Sequence, residues 1–183
     1  MAELSDFRLH RGDPAPDFTL PGVDGRSYRL ADFHQDRLLV VAFWCNHCPY
    51  VQAWEGRMIE LARATRDRGV GFVLINSNDA ASYPDDSFPR MVERARQKGY
   101  PFPYLWDEDQ AVARAYGALV TPHPFLFGPD RRLLFQGRID DRHDEPSRVR
   151  ERYLAQAIDQ ALLDRPIARP ELPVLGCSVK WKA

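Results

Sequence analysis

Phe43-Trp44-Cys45-Asn46-His47-Cys48-Pro49 is the stretch whose reading decides the fold. Ahead of it runs Leu38-Leu39-Val40-Val41-Ala42-Phe43, apolar, β-branched at two positions and bounded by Arg37. Such a run is too short for an ordinary helix and predicts a buried strand. Behind it, Val51, Trp54, Met58, Leu61 and Ala62 recur at three- and four-residue intervals. That spacing predicts a helix from Cys48 to about Asp67, with Pro49 in its first turn and Gly69 as its stop. Cys45 and Cys48 therefore fall where a strand hands over to a helix. A Cys-x-x-Cys pair at that junction is a redox motif.

The chemistry has a physical basis. The thiolate, not the thiol, attacks a disulfide, and unpaired N–H groups at a helix N-terminus stabilise a negative sulfur. Cysteines so placed have pKa values of roughly 3.5 to 7.5, against about 8.5 for a free thiol. Cys45 is expected to attack and Cys48 to resolve the mixed disulfide from within. Asn46 and His47 stand between the sulfurs and are expected to tune the couple, a protonated His47 favouring the thiolate.

Composition narrows the class. The chain has 183 residues, 44% hydrophobic and 28% charged, which suits one soluble domain over 1–183. The net charge of −1 gives no electrostatic case for nucleic acid or an anionic membrane. Only three of the 25 basic residues are lysines, a bias for which codon usage suffices. Met1-Ala2-Glu3-Leu4-Ser5-Asp6 lacks the apolar core of a signal peptide, and no run is long enough to span a membrane, so a cytoplasmic protein is expected. Three cysteines are too few for a disulfide scaffold.

The remaining elements can be read in chain order. Asp17–Leu20 and Ser27–Leu30 flank Pro21-Gly22-Val23-Asp24-Gly25, predicting an N-terminal hairpin within 14–33. Val70–Ile75 predicts a second buried strand, parallel to the first through a right-handed crossover. Asn76–Pro89 is rich in Ser, Asp and Pro and reads as a loop at the ligand-binding edge of an α/β sheet. Met91–Lys98 predicts a short helix, and Tyr100–Trp106 a stiff connector with room for a strand. Asp107 is the expected cap of a helix over Gln110–Tyr116. Leu119–Phe127 and Arg132–Gly137 predict a second hairpin. A last helix is expected to open at Asp144–Ser147 and run to Leu163. The tail, 166–183, alternates Cys177, Val179 and Trp181 with polar residues, as an edge strand or extended arm does.

This pattern resembles the thioredoxin superfamily, in its TlpA-like and AhpC-TSA (peroxiredoxin-like) branch. The resemblance rests on Phe43-Trp44-Cys45-x-x-Cys48, on Val120-Thr121-Pro122 before a hairpin, and on Ala15-Pro16-Asp17-Phe18 as the opening. It implies an α/β thioredoxin-like fold, a central mixed sheet flanked by helices, with a hairpin extension and a C-terminal arm. It implies a cis bond at Thr121–Pro122 beside the cysteines, with the Thr121 backbone holding an extended substrate. Trp44 is read as a packing residue that also shields the cysteines and borders the groove, and His123 as lining that groove or exposed in a loop. Disulfide-containing proteins or small thiols would be substrates, with an upstream electron donor or acceptor and no cofactor.

The chain departs from its relatives' pattern where they keep helpers. Leu39 stands where thioredoxins keep a buried Asp, Val51 where TlpA-like proteins often carry Glu, and Ala42 where peroxiredoxins need Thr. The proton relay is therefore unnamed in the sequence. Three readings remain open: a dithiol–disulfide oxidoreductase, a thiol peroxidase, and a non-catalytic binding or metal-sensing module. For the last, Cys45, His47 and Cys48 lack a fourth zinc ligand at usual spacing. Cys177 has two readings of its own, a packed structural thiol or a third redox sulfur able to pair with Cys45 or Cys48.

Overall fold

The structure is a computed structural model describing residues 4–183, and Met1–Glu3, the start of the acidic N-terminal stretch, lie outside the described residues. Thr19–Pro21 (β1) and Ser27–Arg29 (β2) form the antiparallel hairpin expected at the N-terminus. Leu38–Trp44 (β3) is buried along its whole length. Pro49–Thr65 (α1) comes next, and Val70–Asn76 (β4) returns parallel to β3, Leu38 opposite Val70. Gly69 adopts the left-handed conformation (φ 80°) that ends the helical stretch.

Phe88–Lys98 (α2) starts earlier than its apolar spacing suggests, because Pro89 is accommodated in the first turn. Tyr104–Trp106 (β5) adds a parallel strand beside β4. Ala111–Tyr116 (α3) receives the expected help from Asp107, whose carboxylate accepts the amides of Val112 (3.2 Å) and Ala113 (2.9 Å). Val120–Thr121 (β6), His123–Phe127 (β7) and Leu133–Gln136 (β8) complete the strands ahead of the last helix. The main sheet has the order β5-β4-β3-β7-β8, with β7 antiparallel to both its neighbours.

The strand alternation of β3 sorts the core into two layers. Leu38, Val40, Ala42 and Trp44 pack with Val51, Trp54 and Met58 of α1 and with the last helix. Leu39, Val41 and Phe43 pack on the other side with α3 and with Phe18 and Leu20 of the hairpin. Each fully buried Leu or Val contributes about 1.5–3 kcal/mol, so the centre of the sheet is a rigid support for the cysteine segment at the end of β3.

The last helix corrects the sequence expectation. Pro146–Arg148 forms only a single 3-10 turn, and the helix proper is Tyr153–Leu162 (α4). Val149 is extended (ψ 122°), and Asp141 draws the amides of Arg150 (3.1 Å) and Glu151 (3.3 Å) to its own carboxylate, out of any helix. The tail forms Cys177–Ser178 (β9), antiparallel to β6 with Cys177 opposite Thr121. Among the described residues, no helix is long and apolar enough to cross a membrane.

Candidate active site

β3 ends at Trp44, and the next four residues carry the chain to Pro49, the first residue of α1. Cys48, not Cys45, occupies the cap position of that helix, with extended backbone (φ −68°, ψ 125°). Both cysteines are fully buried. Across from them the Thr121–Pro122 peptide bond is cis. The Thr121 hydroxyl lies 3.3 Å from Cys45 Sγ, and its carbonyl oxygen 3.2 Å from Cys48 Sγ.

The two sulfurs interact, so protons come off the pair rather than off either thiol alone. Cys48 is held down to about 5, first by the hydrogen bond from Cys45 and then, against the opposing effect of burial, by one from Cys177. Cys45 is pushed well above the ordinary thiol range, first by burial, then by its bond to Cys48 and the negative charge of Asp86. Within the pair the direction is down for Cys48, the residue at the head of α1, and up for Cys45.

Asp86 is the residue that sequence reasoning misses. It is completely buried, although it lies in the polar stretch read as a loop at the edge of the sheet. Its Oδ1 accepts the amides of Asn46 (2.6 Å) and His47 (3.3 Å). Its Oδ2 accepts Asn78 Nδ2 (2.8 Å) and pairs with His47 Nδ1. His47 also stacks on Tyr83, ring centres 5.5 Å apart. Asn46 is equally committed: its Oδ1 accepts Tyr104 OH (2.9 Å) and its Nδ2 donates to Asp85 O (2.9 Å). No local signal marks Asp86, which reaches Asn46 from 40 residues away in sequence.

Two residues expected along a substrate groove are placed elsewhere. Trp44 is buried on the α1 side of the sheet, where its indole N–H donates to Tyr100 OH (3.2 Å). Tyr100 in turn donates to Glu55 (2.6 Å), which also binds Arg94 through both oxygens. His123 is buried in β7 opposite Phe43, stacked on Phe125 at 4.3 Å. Burial holds its pKa down to about 3, so it is a neutral core ring rather than a proton carrier. The sheet buries residues whose adjacency to the cysteines and to Pro122 suggests an open groove.

The Thr121 edge is also already taken. The strand expected to hold an extended substrate is paired with the chain's own arm through β9. Cys177 is half-buried there, with its sulfur within hydrogen-bonding reach of Cys48.

A metal is a weaker fit. Cys45, His47 and Asp86 bring three ligand atoms within 4.8 Å of one another, Asp86 being a partner that sequence spacing does not supply. Both Asp86 oxygens are engaged by Asn46, His47 and Asn78, and a closed zinc site needs four ligands.

Similar proteins agree with this picture. Thiol-disulfide oxidoreductase ResA of Geobacillus thermodenitrificans is 30% identical over 115 residues, covering 63% of this chain and 62% of ResA, so the chain spans less than two thirds of that relative. The crystal structure of an uncharacterized conserved protein from Geobacillus kaustophilus is 40% identical, with a TM-score of 0.92 over 100% of this chain and 97% of that one. Peroxidoxin BcpB from Mycobacterium tuberculosis shares the fold at 20% identity, with a TM-score of 0.63 over 85% of this chain and 96% of its own. The model of the AhpC/TSA family matches residues 11–136, from ahead of the N-terminal hairpin through both cysteines and the cis bond to the end of β8, and the chain belongs to that family, in the thioredoxin superfamily.

Proposed function

We propose that this protein is a thiol–disulfide oxidoreductase working by dithiol–disulfide exchange through Cys45 and Cys48. The observation that carries the reading is that both sulfurs lie against Thr121 of the cis bond, Cys48 at the head of α1. Cys45 is assigned the attack, because Cys48 is flanked by Cys45, the Thr121 carbonyl and Cys177.

Cys45 loses its proton to water and attacks as the thiolate. Cys45 then breaks the substrate disulfide, forming a mixed disulfide and releasing the first sulfur as a thiol after proton uptake from water. Cys48 gives up its proton, attacks Cys45 and expels the second substrate sulfur. The substrate gains two electrons and the couple becomes a disulfide, which an upstream thiol donor reduces again. A disulfide-containing protein or small disulfide is the substrate class, and no cofactor enters the cycle.

Reduction of insulin or of a low-molecular-weight disulfide tests this. Cys45→Ser is expected to fall to background, and Cys48→Ser to accumulate a mixed disulfide with substrate. Full turnover in both variants would rule the mechanism out. A second reading, thiol peroxidase, draws on the family match and on the Thr121 hydroxyl beside Cys45. Peroxide consumption that outpaces disulfide reduction under the same donor would favour it.

A further inference from the structure

The tail beyond α4 is seated with more care than a loose end needs. Lys180 N donates to Asn78 Oδ1 (2.9 Å), and Lys180 O accepts Asp79 N (2.8 Å) and Gln110 Nε2 (2.8 Å). Lys182 N donates to Gln110 Oε1 (2.8 Å), and Val179 N to Leu119 O (3.3 Å). Just ahead of Cys177, Gly176 lies so close to Thr121 that a Cβ there would meet the Thr121 carbonyl oxygen at 2.3 Å. Only glycine permits this approach without displacement. The pairing sets Cys177 opposite Thr121, the residue that touches both sulfurs of the couple.

Cys48 is the sulfur that both other cysteines meet. It contacts Cys45 on one side and Cys177 on the other. The three sulfurs do not close into one cluster as Cys45, His47 and Asp86 do. They form a row with Cys48 in the middle. Cys177 is also the least buried of the three.

We propose that Cys177 is a third redox sulfur, which attacks Cys48 of the Cys45–Cys48 disulfide and carries the disulfide to Cys48–Cys177. The inference rests on the exchange activity proposed above. The Cys45–Cys48 bond breaks and the Cys48–Cys177 bond forms. The electron pair goes to Cys45, which takes up the proton that Cys177 loses. The step is an isomerisation within one chain and needs no oxidant. It leaves Cys45 free as a thiol and moves the disulfide to the more accessible end of the row.

The state of the couple gates the step. In the reduced site Cys177 is pushed up to about 12, first by burial and then by its hydrogen bond to Cys48 and the charge there, while Lys180 pulls the other way. Once Cys48 is in a disulfide, it has no charge and no lone thiolate to receive that bond. The Cys48 bond and charge then no longer oppose the Cys177 thiolate, and burial, the largest of the causes, remains against the Lys180 charge.

The experiment is peptide mapping of oxidised protein, quenched in acid and digested without reductant. In Cys45→Ser oxidised with diamide, an intramolecular Cys48–Cys177 link is expected in monomer. In Cys48→Ser the corresponding Cys45–Cys177 link should be at least about tenfold scarcer, since exchange requires the attacked sulfur to be within reach. Gly176→Ala introduced into Cys45→Ser should cut the Cys48–Cys177 link by a similar factor with both sulfurs still present. Wild-type protein gives a second measurement independent of any variant's folding. If its oxidised form holds the Cys45–Cys48 disulfide while Cys177 is quantitatively alkylatable at all times, the inference is overturned and the exchange reading stands. If oxidised protein holds neither a Cys45–Cys48 nor a Cys48–Cys177 disulfide, both fail.

Discussion

The two flanks of the cysteine pair are built on opposite plans. On the Asn46–His47 side, one buried carboxylate, Asp86, collects two backbone amides, a carboxamide and an imidazole. On the Cys48 side, a two-residue ladder and a glycine hold a half-buried thiol against the couple. The first flank is immobilised by many bonds to one charge. The second is held by neutral hydrogen bonds from the arm and by the close packing of Gly176 on Thr121. A redox site needs both properties, a fixed motif and a removable cover. Asn78 connects them, donating to Asp86 and accepting from Lys180.

Removing the carboxylate is the largest way to break this contrast. Asp86→Ala leaves the Asn46 and His47 amides and the Asn78 carboxamide without their acceptor, each at roughly 1–3 kcal/mol. We expect a loss of at least about 3 kcal/mol in urea unfolding, with exchange activity falling as the motif loosens. A stability within error of wild type would show that the flank is not fixed by Asp86. Asn78→Ala is the next perturbation, since it frees the arm while keeping the carboxylate's amide bonds. It should cost about 1–2 kcal/mol and speed alkylation of Cys177 in reduced protein. Unchanged alkylation would mean that the arm is held without Asn78.

The thiolate supplies a pH signature. Cys48 is lowered in the folded state to about 5 from an ordinary value near 9.0. Between those values the unfolded chain binds the extra proton, so the stability of the reduced protein rises with pH. The contribution is complete above about 9 and is lost as pH falls through about 5. Relative to Cys48→Ser, unfolding free energies should diverge across that window, and thiolate absorbance should titrate near its lower end. Parallel profiles would place the charge elsewhere. The smallest expected effect is on the reduction potential. His47→Pro should make the couple less oxidising, by on the order of tens of millivolts, because the ring beside Cys45 is lost. An unchanged or more oxidising potential would remove His47 from the tuning.

How far the residues can be read without coordinates depends on distance along the chain. The β3–Cys45–Cys48–α1 unit is legible because apolar spacing switches period within a few residues, and Thr121–Pro122 comes from resemblance. Asp86 is illegible because a Ser-, Asp- and Pro-rich segment looks the same whether water or protein satisfies its polar groups. The start of α4 misleads because Asp144, Pro146 and Ser147 are sound opening signals, yet Asp141 competes for the amides that would continue the turn. His123 and Trp44 suggest a surface because they adjoin the motif in sequence. Strand alternation turns both inward, as local residue type cannot tell. Only coordinates show that Cys48, rather than Cys45, caps the helix.

The pairing of β9 with β6 has a consequence for selectivity. Any extended segment that reaches the Thr121 backbone must first compete with a partner tethered to the same chain. A tethered strand acts at an effective concentration on the order of millimolar. On the exchange reading proposed above, weakly binding peptides are turned away by mass action alone, before their disulfides reach Cys45. The arm thereby sets an affinity threshold for entry, and shortening the chain ahead of Gly176 would lower that threshold without altering a single atom of the couple.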